Sequence, residues 1–195
     1  MTQTRMILGV LVFLLGVAGA RAEGDRPTGN VNLLLTQKML DEDDWTPLDT
    51  QTGFGVMADF KMSSWPIAIA AGYQTTSDND ILFGADMEGS TDELDLGIKY
   101  IADKVGNLRP FVGGGLSQIR GKIEGSGPGG SLSVSDTGIG FWLSAGIYWT
   151  LAEHINLGGH VKYTNAEVTL EDPAIGSFDV DAGGSSLAVF VGYHF

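Results

Sequence analysis

Apolar and polar residues alternate along most of this chain with a period of two. That spacing puts successive side chains of a β-strand on opposite faces. The clearest run is 137–150: Ile139, Phe141, Leu143, Ala145, Ile147 and Trp149 hold the odd positions, and Gly138, Gly140, Trp142, Ser144, Gly146 and Tyr148 the even ones. Ile155, Leu157, Val161 and Tyr163 are set against Asn156, His160, Lys162 and Thr164 in the same way. Leu94, Leu96, Ile98 and Tyr100 oppose Asp95 and Lys99, and Phe54, Val56, Ala58 and Phe60 oppose Asp59 and Lys61. Near the end Leu187, Val189, Val191, Tyr193 and Phe195 oppose Ser186, Gly192 and His194. The pattern predicts eight strands, at 30–40, 51–62, 66–76, 93–102, 109–121, 137–150, 155–169 and 184–195. The fifth is less regular: with Val112, Gly114 and Leu116 on the apolar face, Phe111 and Ile119 fall on the polar one.

The connections alternate in length. Residues 63–65, 103–108 and 151–154 are short, whereas 41–50, 77–92, 122–136 and 170–183 are longer and richer in Asp, Glu, Gly and Ser. Even-stranded membrane barrels have short periplasmic turns and longer external loops. The expected fold class is therefore all-β: an eight-stranded antiparallel up-and-down transmembrane β-barrel, with short periplasmic turns, four longer extracellular loops and both termini on the short-turn side.

The N-terminus supports export. Arg5 supplies positive charge, Ile7 to Val17 is apolar, and Ala20-Arg21-Ala22 is a small-x-small cleavage site. The apolar run is shorter than the ~20 residues a spanning helix needs. We therefore assign 1–22 to a cleaved signal peptide and 23–195 to the barrel domain. The chain has no cysteine, which excludes disulfides, a thiolate nucleophile and a lipidated N-terminal Cys. Removing Arg5 and Arg21 leaves 9 bases against 24 acids, a net charge of −15. Nucleic acid is thus no expected partner, because phosphate contacts need clustered Lys and Arg. Acid excess fits repulsive, cation-attracting loops.

A soluble barrel also alternates, but with its apolar face around a ligand. Two features favour the inverted arrangement. The polar faces carry many small residues, as a narrow lumen requires. Aromatics also gather near strand ends on the apolar face, with Phe60, Tyr100, Trp149, Tyr193 and Phe195 at one level and Phe54, Tyr73, Phe141 and Tyr163 toward the other. That matches aromatic girdles at two membrane interfaces.

With strand count, loop alternation, Pro110-Phe111-Val112-Gly113-Gly114-Gly115-Leu116 and the Gly192-Tyr193-His194-Phe195 end, the chain resembles the small outer-membrane barrels of the outer-membrane protein A and X type. The resemblance covers the whole mature chain. It implies residence in the outer membrane of a Gram-negative bacterium, and contact with outer-membrane lipid and lipopolysaccharide. It also implies a terminal strand recognised by the barrel-assembly machinery, a role that would fall to Tyr193 and Phe195, and a monomer. It leaves activity open between structural or surface-interaction barrels, narrow channels for small or apolar solutes, and a few lipid A-modifying enzymes.

Candidate chemistry lies on the inward faces. Asp59, Lys61, Asp95, Lys99, His160 and Lys162 form an expected lumen polar network. An eight-stranded interior is just wide enough for side chains to fill, so paired charges plugging the barrel are favoured over an ion path. Lys162-Tyr163-Thr164-Asn165-Ala166 resembles the His-Tyr-Ser-Asn motif of lipid A deacylases, but Lys stands at the base position and His160 lies about 13 Å from Thr164 along the strand. No catalytic residues, cofactors or metal are expected, and His154 and His194 have no evident partner. Asp41-Glu42-Asp43-Asp44 lacks the spacing of a calcium loop, and neither glycine cluster, 113–115 or 125–130, precedes the helix and Lys-Ser/Thr of a phosphate loop.

Overall fold

In the computed structural model the described residues are 27–82, 85–127, 130–172 and 176–195. The export signal predicted over 1–22 lies outside them. The elements are β1 (Pro27–Met39), α1 (Glu42–Trp45), β2 (Thr50–Met62), β3 (Ala68–Leu82), β4 (Ala85–Ile101), β5 (Leu108–Gly127), β6 (Gly130–Leu151), β7 (Ile155–Asn165), β8 (Glu167–Asp172), β9 (Gly176–Asp181) and β10 (Gly184–His194).

Eight of these strands close into an antiparallel barrel in the order β1-β10-β7-β6-β5-β4-β3-β2, and β8 and β9 form a separate hairpin. Closure comes from β1 against β10, with Val31 opposite Tyr193 and Leu35 opposite Val189. Phe195 extends the seam: its N–H donates to the Gly29 carbonyl and its carbonyl accepts from the Gly29 N–H, both at 3.0 Å. A closed sheet leaves no unpaired edge, which is what a bilayer core requires.

The alternation maps onto the wall. Leu33, Leu96, Leu143, Val161 and Val189 point outward and are more than half exposed, as lipid-facing residues must be in the isolated chain. Phe111 and Ile119 point inward and are buried. Outward aromatics form two levels. Tyr100, Trp149, Tyr193 and Phe195 lie at the short-turn end, and Phe54, Phe141 and Tyr163 toward the other. On β6, Trp149 and Phe141 are separated by about 27 Å of strand, or roughly 20 Å along the axis at a 40° tilt. Outward polar groups resume just above, where Tyr73 donates to Asp92 at 2.9 Å and Arg120 to Ser135 at 2.9 Å.

Strand boundaries differ from expectation in several places, and the predicted loop 170–183 carries the end of β8 and all of β9. The predicted loops 77–92 and 122–136 are mostly strand, since β3–β4 stay paired to Leu82–Ala85 and β5–β6 to Gly127–Gly130. The apolar signal stops at the bilayer edge, but backbone pairing does not depend on it. Beyond the Leu116–Phe141 pair the β5–β6 ribbon continues for roughly 35 Å of strand. The predicted seventh strand, 155–169, breaks at Ala166, whose carbonyl accepts from Ala182 N–H at 3.0 Å and Gly183 N–H at 3.1 Å. The chain re-enters the wall at Gly184, whose φ of +116° and proximity to the Met39 carbonyl only glycine tolerates.

Candidate functional site: the filled barrel interior

Four layers occupy the interior. The lowest, at the short-turn end, is built on Arg109 at the start of β5. Its Nη2 donates to Asn30 Oδ1 at 2.9 Å and Asn156 Oδ1 at 3.1 Å, and its Nε to Thr150 Oγ1 at 3.1 Å. His194 closes this layer, its Nδ1 lying 2.9 Å from the Gly29 carbonyl. His154 stacks on Tyr193 with ring centroids 5.3 Å apart, and its Nδ1 lies 3.0 Å from the His194 carbonyl. Both histidines thus have partners at the terminal strand, which the sequence pattern did not reveal.

The second layer centres on Asp59. Its carboxylate accepts from Lys99 Nζ at 3.2 Å, Tyr148 OH at 2.7 Å and Asn30 Nδ2. Tyr148 packs against Phe111 and Phe190 with centroids 4.7 and 5.2 Å away, and Lys99 Nζ sits 4.5 Å over the Phe111 ring. A cation held between a carboxylate and aromatic faces is paired electrostatically on two sides.

The third layer centres on Glu93, which is fully buried. Oε1 accepts from Lys162 at 2.8 Å, Thr164 at 2.7 Å and Ser117 at 3.2 Å, and Oε2 from Gln74 at 2.9 Å and Lys38 at 3.3 Å. Lys162 also reaches Asp95 Oδ2 at 2.7 Å. Lys38 donates onward to the Ala182 carbonyl at 2.9 Å. A cavity of about 40 Å³ lies between the second and third layers, lined by Asp95, His160, Lys99, Lys162 and Trp142. Asp95 Oδ1 and His160 Nδ1 are buried without a hydrogen-bond partner there. A space of that size has room for a few waters.

The fourth layer is an apolar lid. Leu40 and Trp45 from the β1–β2 loop meet Ile119, Val134, Ala166, Val168, Val180 and Ala182 across the outer mouth. Asp41 caps α1 by accepting from the Asp43 N–H at 2.9 Å, and this turn delivers Trp45, which is 2% exposed. Trp45 Nε1 donates to the Asp181 carbonyl at 2.8 Å, tying the first loop to the β8–β9 hairpin.

Of the residues expected in the lumen, Asp59 and Lys99 form one ion pair, and Asp95 and Lys162 another. His160 lies between them, and Lys61 stands apart at the short-turn mouth. Four central participants were missed: Glu93, Lys38, Tyr148 and Arg109. Glu93 shares the parity of Asp95, and Lys38 the inward parity of 30–40, so position was legible and partnership was not. Thr164 of the deacylase-like segment is 1% exposed and commits its hydroxyl to Glu93, which is itself engaged by two lysines. Outside the wall, Lys122 donates to Glu124 and holds that carboxyl below its usual range.

A closed eight-stranded wall, apolar outside and polar within, with aromatics at two levels, defines an integral outer-membrane β-barrel of the Gram-negative envelope. The outer membrane protein beta-barrel domain family matches residues 8–195, and the chain belongs to that family. No curated protein matches the sequence. Solved structures share the fold. Ail, the attachment invasion locus protein of Yersinia pestis in complex with the heparin analogue sucrose octasulfate, is similar at 13% identity and a TM-score of 0.61, covering 87% of this chain and 99% of that one. A major outer membrane protein from Thermus thermophilus has 11% identity and a TM-score of 0.61, with 87% and 100% covered. OprG from Pseudomonas aeruginosa has 15% identity and a TM-score of 0.55, with 88% and 96% covered.

Proposed function

We propose that this protein is a closed, non-catalytic barrel that acts as a structural and surface-interaction element of the envelope. The observation that supports this reading is the filled interior: an apolar lid at the outer mouth lies above two layers of paired charges. An ion entering from outside would have to displace Trp45 and then pass between lysines already bound to carboxylates. The β3–β6 ribbons meanwhile project beyond the outer aromatic level, where surface contacts are made. The test is conductance in planar bilayers. The purified barrel should insert without steady single-channel steps, and reproducible conductance would replace this reading with the narrow channel. Unchanged lipid A masses on overexpression are expected for a non-catalytic barrel.

The projecting ribbons carry Asp78, Asp80, Asp86, Glu88, Glu124 and Asp136 against Arg120 and Lys122. Glu88 stands directly opposite Glu124 across β4 and β5, an unfavourable like-charge pairing. Such a surface suits the divalent cations that bridge lipopolysaccharide phosphates. It does not suit a sulfated sugar like the one bound in the Ail complex, because its excess negative charge repels it. Removing divalent cations with a chelator should weaken retention on lipopolysaccharide-coated beads, and retention unchanged by chelation would count against cation bridging.

A further inference from the structure

The bases of this chain are unevenly spent. Lys38, Lys99 and Lys162 are paired inside the barrel and Lys122 outside it. Lys61, Lys104 and Arg109 instead line a single pocket of about 190 Å³ at the short-turn mouth, together with Asn30 and His194. None of these three cations forms a salt bridge among the described residues. Two carboxylates border the pocket, Asp59 and Asp103. Asp59 is shared with Lys99, from which it accepts along with Tyr148 and Asn30, and Asp103 stands at the exposed β4–β5 turn, so among the described residues these two carboxylates face Lys99 and the three pocket cations.

Arg109 is the fixed point. Its hydrogen bonds go to Asn30, Thr150 and Asn156, all neutral acceptors, so they set its plane without cancelling its charge. On the remaining edge Nη1 meets, among the described residues, only the His194 ring, at 3.4 Å. Among the described residues no carboxylate lies within salt-bridge distance of this partly buried guanidinium, although Asp59 acts on it through space, and its open edge is a preformed fork for an oxyanion. In a mature chain of net charge −15, a cluster of this sign is opposite to the rest of the surface.

We propose that this pocket binds a small oxyanion, a phosphate or carboxylate group, presented from the periplasmic side. Arg109 supplies the oriented donors, and Lys61 and Lys104 close over the anion from the β2 end and the β4–β5 turn. The shared chemistry can come from a soluble anion or from the phosphate of an inner-leaflet phospholipid.

The test uses the mature protein, ¹⁵N-labelled, in phosphatidylcholine nanodiscs, titrated with inorganic phosphate at constant ionic strength. Saturable shifts of the Arg109 Nε–H and the Gly29 amide are expected. The Lys61→Gln/Lys104→Gln double variant should bind about tenfold more weakly. Lys122→Gln, at the opposite end, should bind as the parent does. Arg109→Gln should abolish the shifts. Because that variant removes interior bonds, the lysine double variant, with its heat-dependent gel mobility as a check of folding, decides independently. Acetate shifting the same resonances extends the site to carboxylates. The same shifts in phosphatidylglycerol nanodiscs without added phosphate assign the lipid as source. Equal shifts from chloride at matched ionic strength, or parental affinity in the folded lysine double variant, would overturn the proposal.

Discussion

Glu93→Gln is the sharpest perturbation of the interior. The side chain keeps its volume and loses its charge, while five donors still point at it. Lys162 retains Asp95 as a counter-ion at 2.7 Å, but Lys38 has no other carboxylate within salt-bridge distance among the described residues and is fully buried. Stranding a buried charge costs about 3–5 kcal/mol. With a urea slope of about 2 kcal/mol/M, that lowers the unfolding midpoint by roughly 2 M. Lys38→Met should cost less, about 1–2 kcal/mol, because Glu93 keeps Lys162, Gln74, Thr164 and Ser117. In the double variant the losses should add to less than their sum, since removing Lys38 removes the charge that Glu93→Gln strands. Urea titration of the barrel in bilayers, followed by tryptophan fluorescence and heat-dependent gel mobility, reads all three. A Glu93→Gln midpoint close to the parent, or Lys38→Met costing more than Glu93→Gln, would refute the assignment of Glu93 as the centre of the network.

Three further outcomes follow from the same geometry. Trp45→Ala removes the largest side chain of the lid and its bond to Asp181, so it should destabilise the outer mouth by about 3–5 kcal/mol and raise protease cleavage in the 41–50 loop, checked by limited proteolysis of intact vesicles. Ala152 and Glu153 hold φ values of +46° and +69° in the β6–β7 turn, a conformation suited to Asn-Gly, so Ala152→Asn/Glu153→Gly should stabilise by about 1–3 kcal/mol in the same urea assay. Deleting Phe195 removes the paired bonds with Gly29 and the Thr28 Oγ1 contact at 2.8 Å, and should slow assembly into folded barrel, measured as the folded fraction over time in vesicles.

The lumen shows how far the pattern could be followed. Asp59, Asp95, Lys99, His160 and Lys162 are inward because strand parity makes them so, and parity is visible in any short run of a strand. Their partners are not local. Lys162 meets Glu93 and Asp95 from 69 and 67 positions away, and Tyr148 meets Asp59 from 89. Those meetings depend on barrel closure and on the stagger between strands, which no single segment encodes. Lys61 has the same parity as Asp59, yet one inward step along β2 carries it past the network to the mouth. Trp45 was legible only as part of an acidic loop. Its burial follows from a turn of helix that aims it at the β8–β9 hairpin, where its acceptor stands 136 positions further on.

The sequence by itself determined the wall: strand count, which face meets lipid, the side of the short turns, and the destination of the chain. It could do so because the bilayer imposes one rule on every outward position independently. The tertiary structure alone decided the contents of that wall: Glu93 rather than Asp95 as the centre of the network, the lid that joins the first and last external segments, and the gathering of Lys61, Lys104 and Arg109 in one pocket at the short-turn mouth. Each arises where side chains from different strands converge, and their energies depend on distances that only the closed barrel sets.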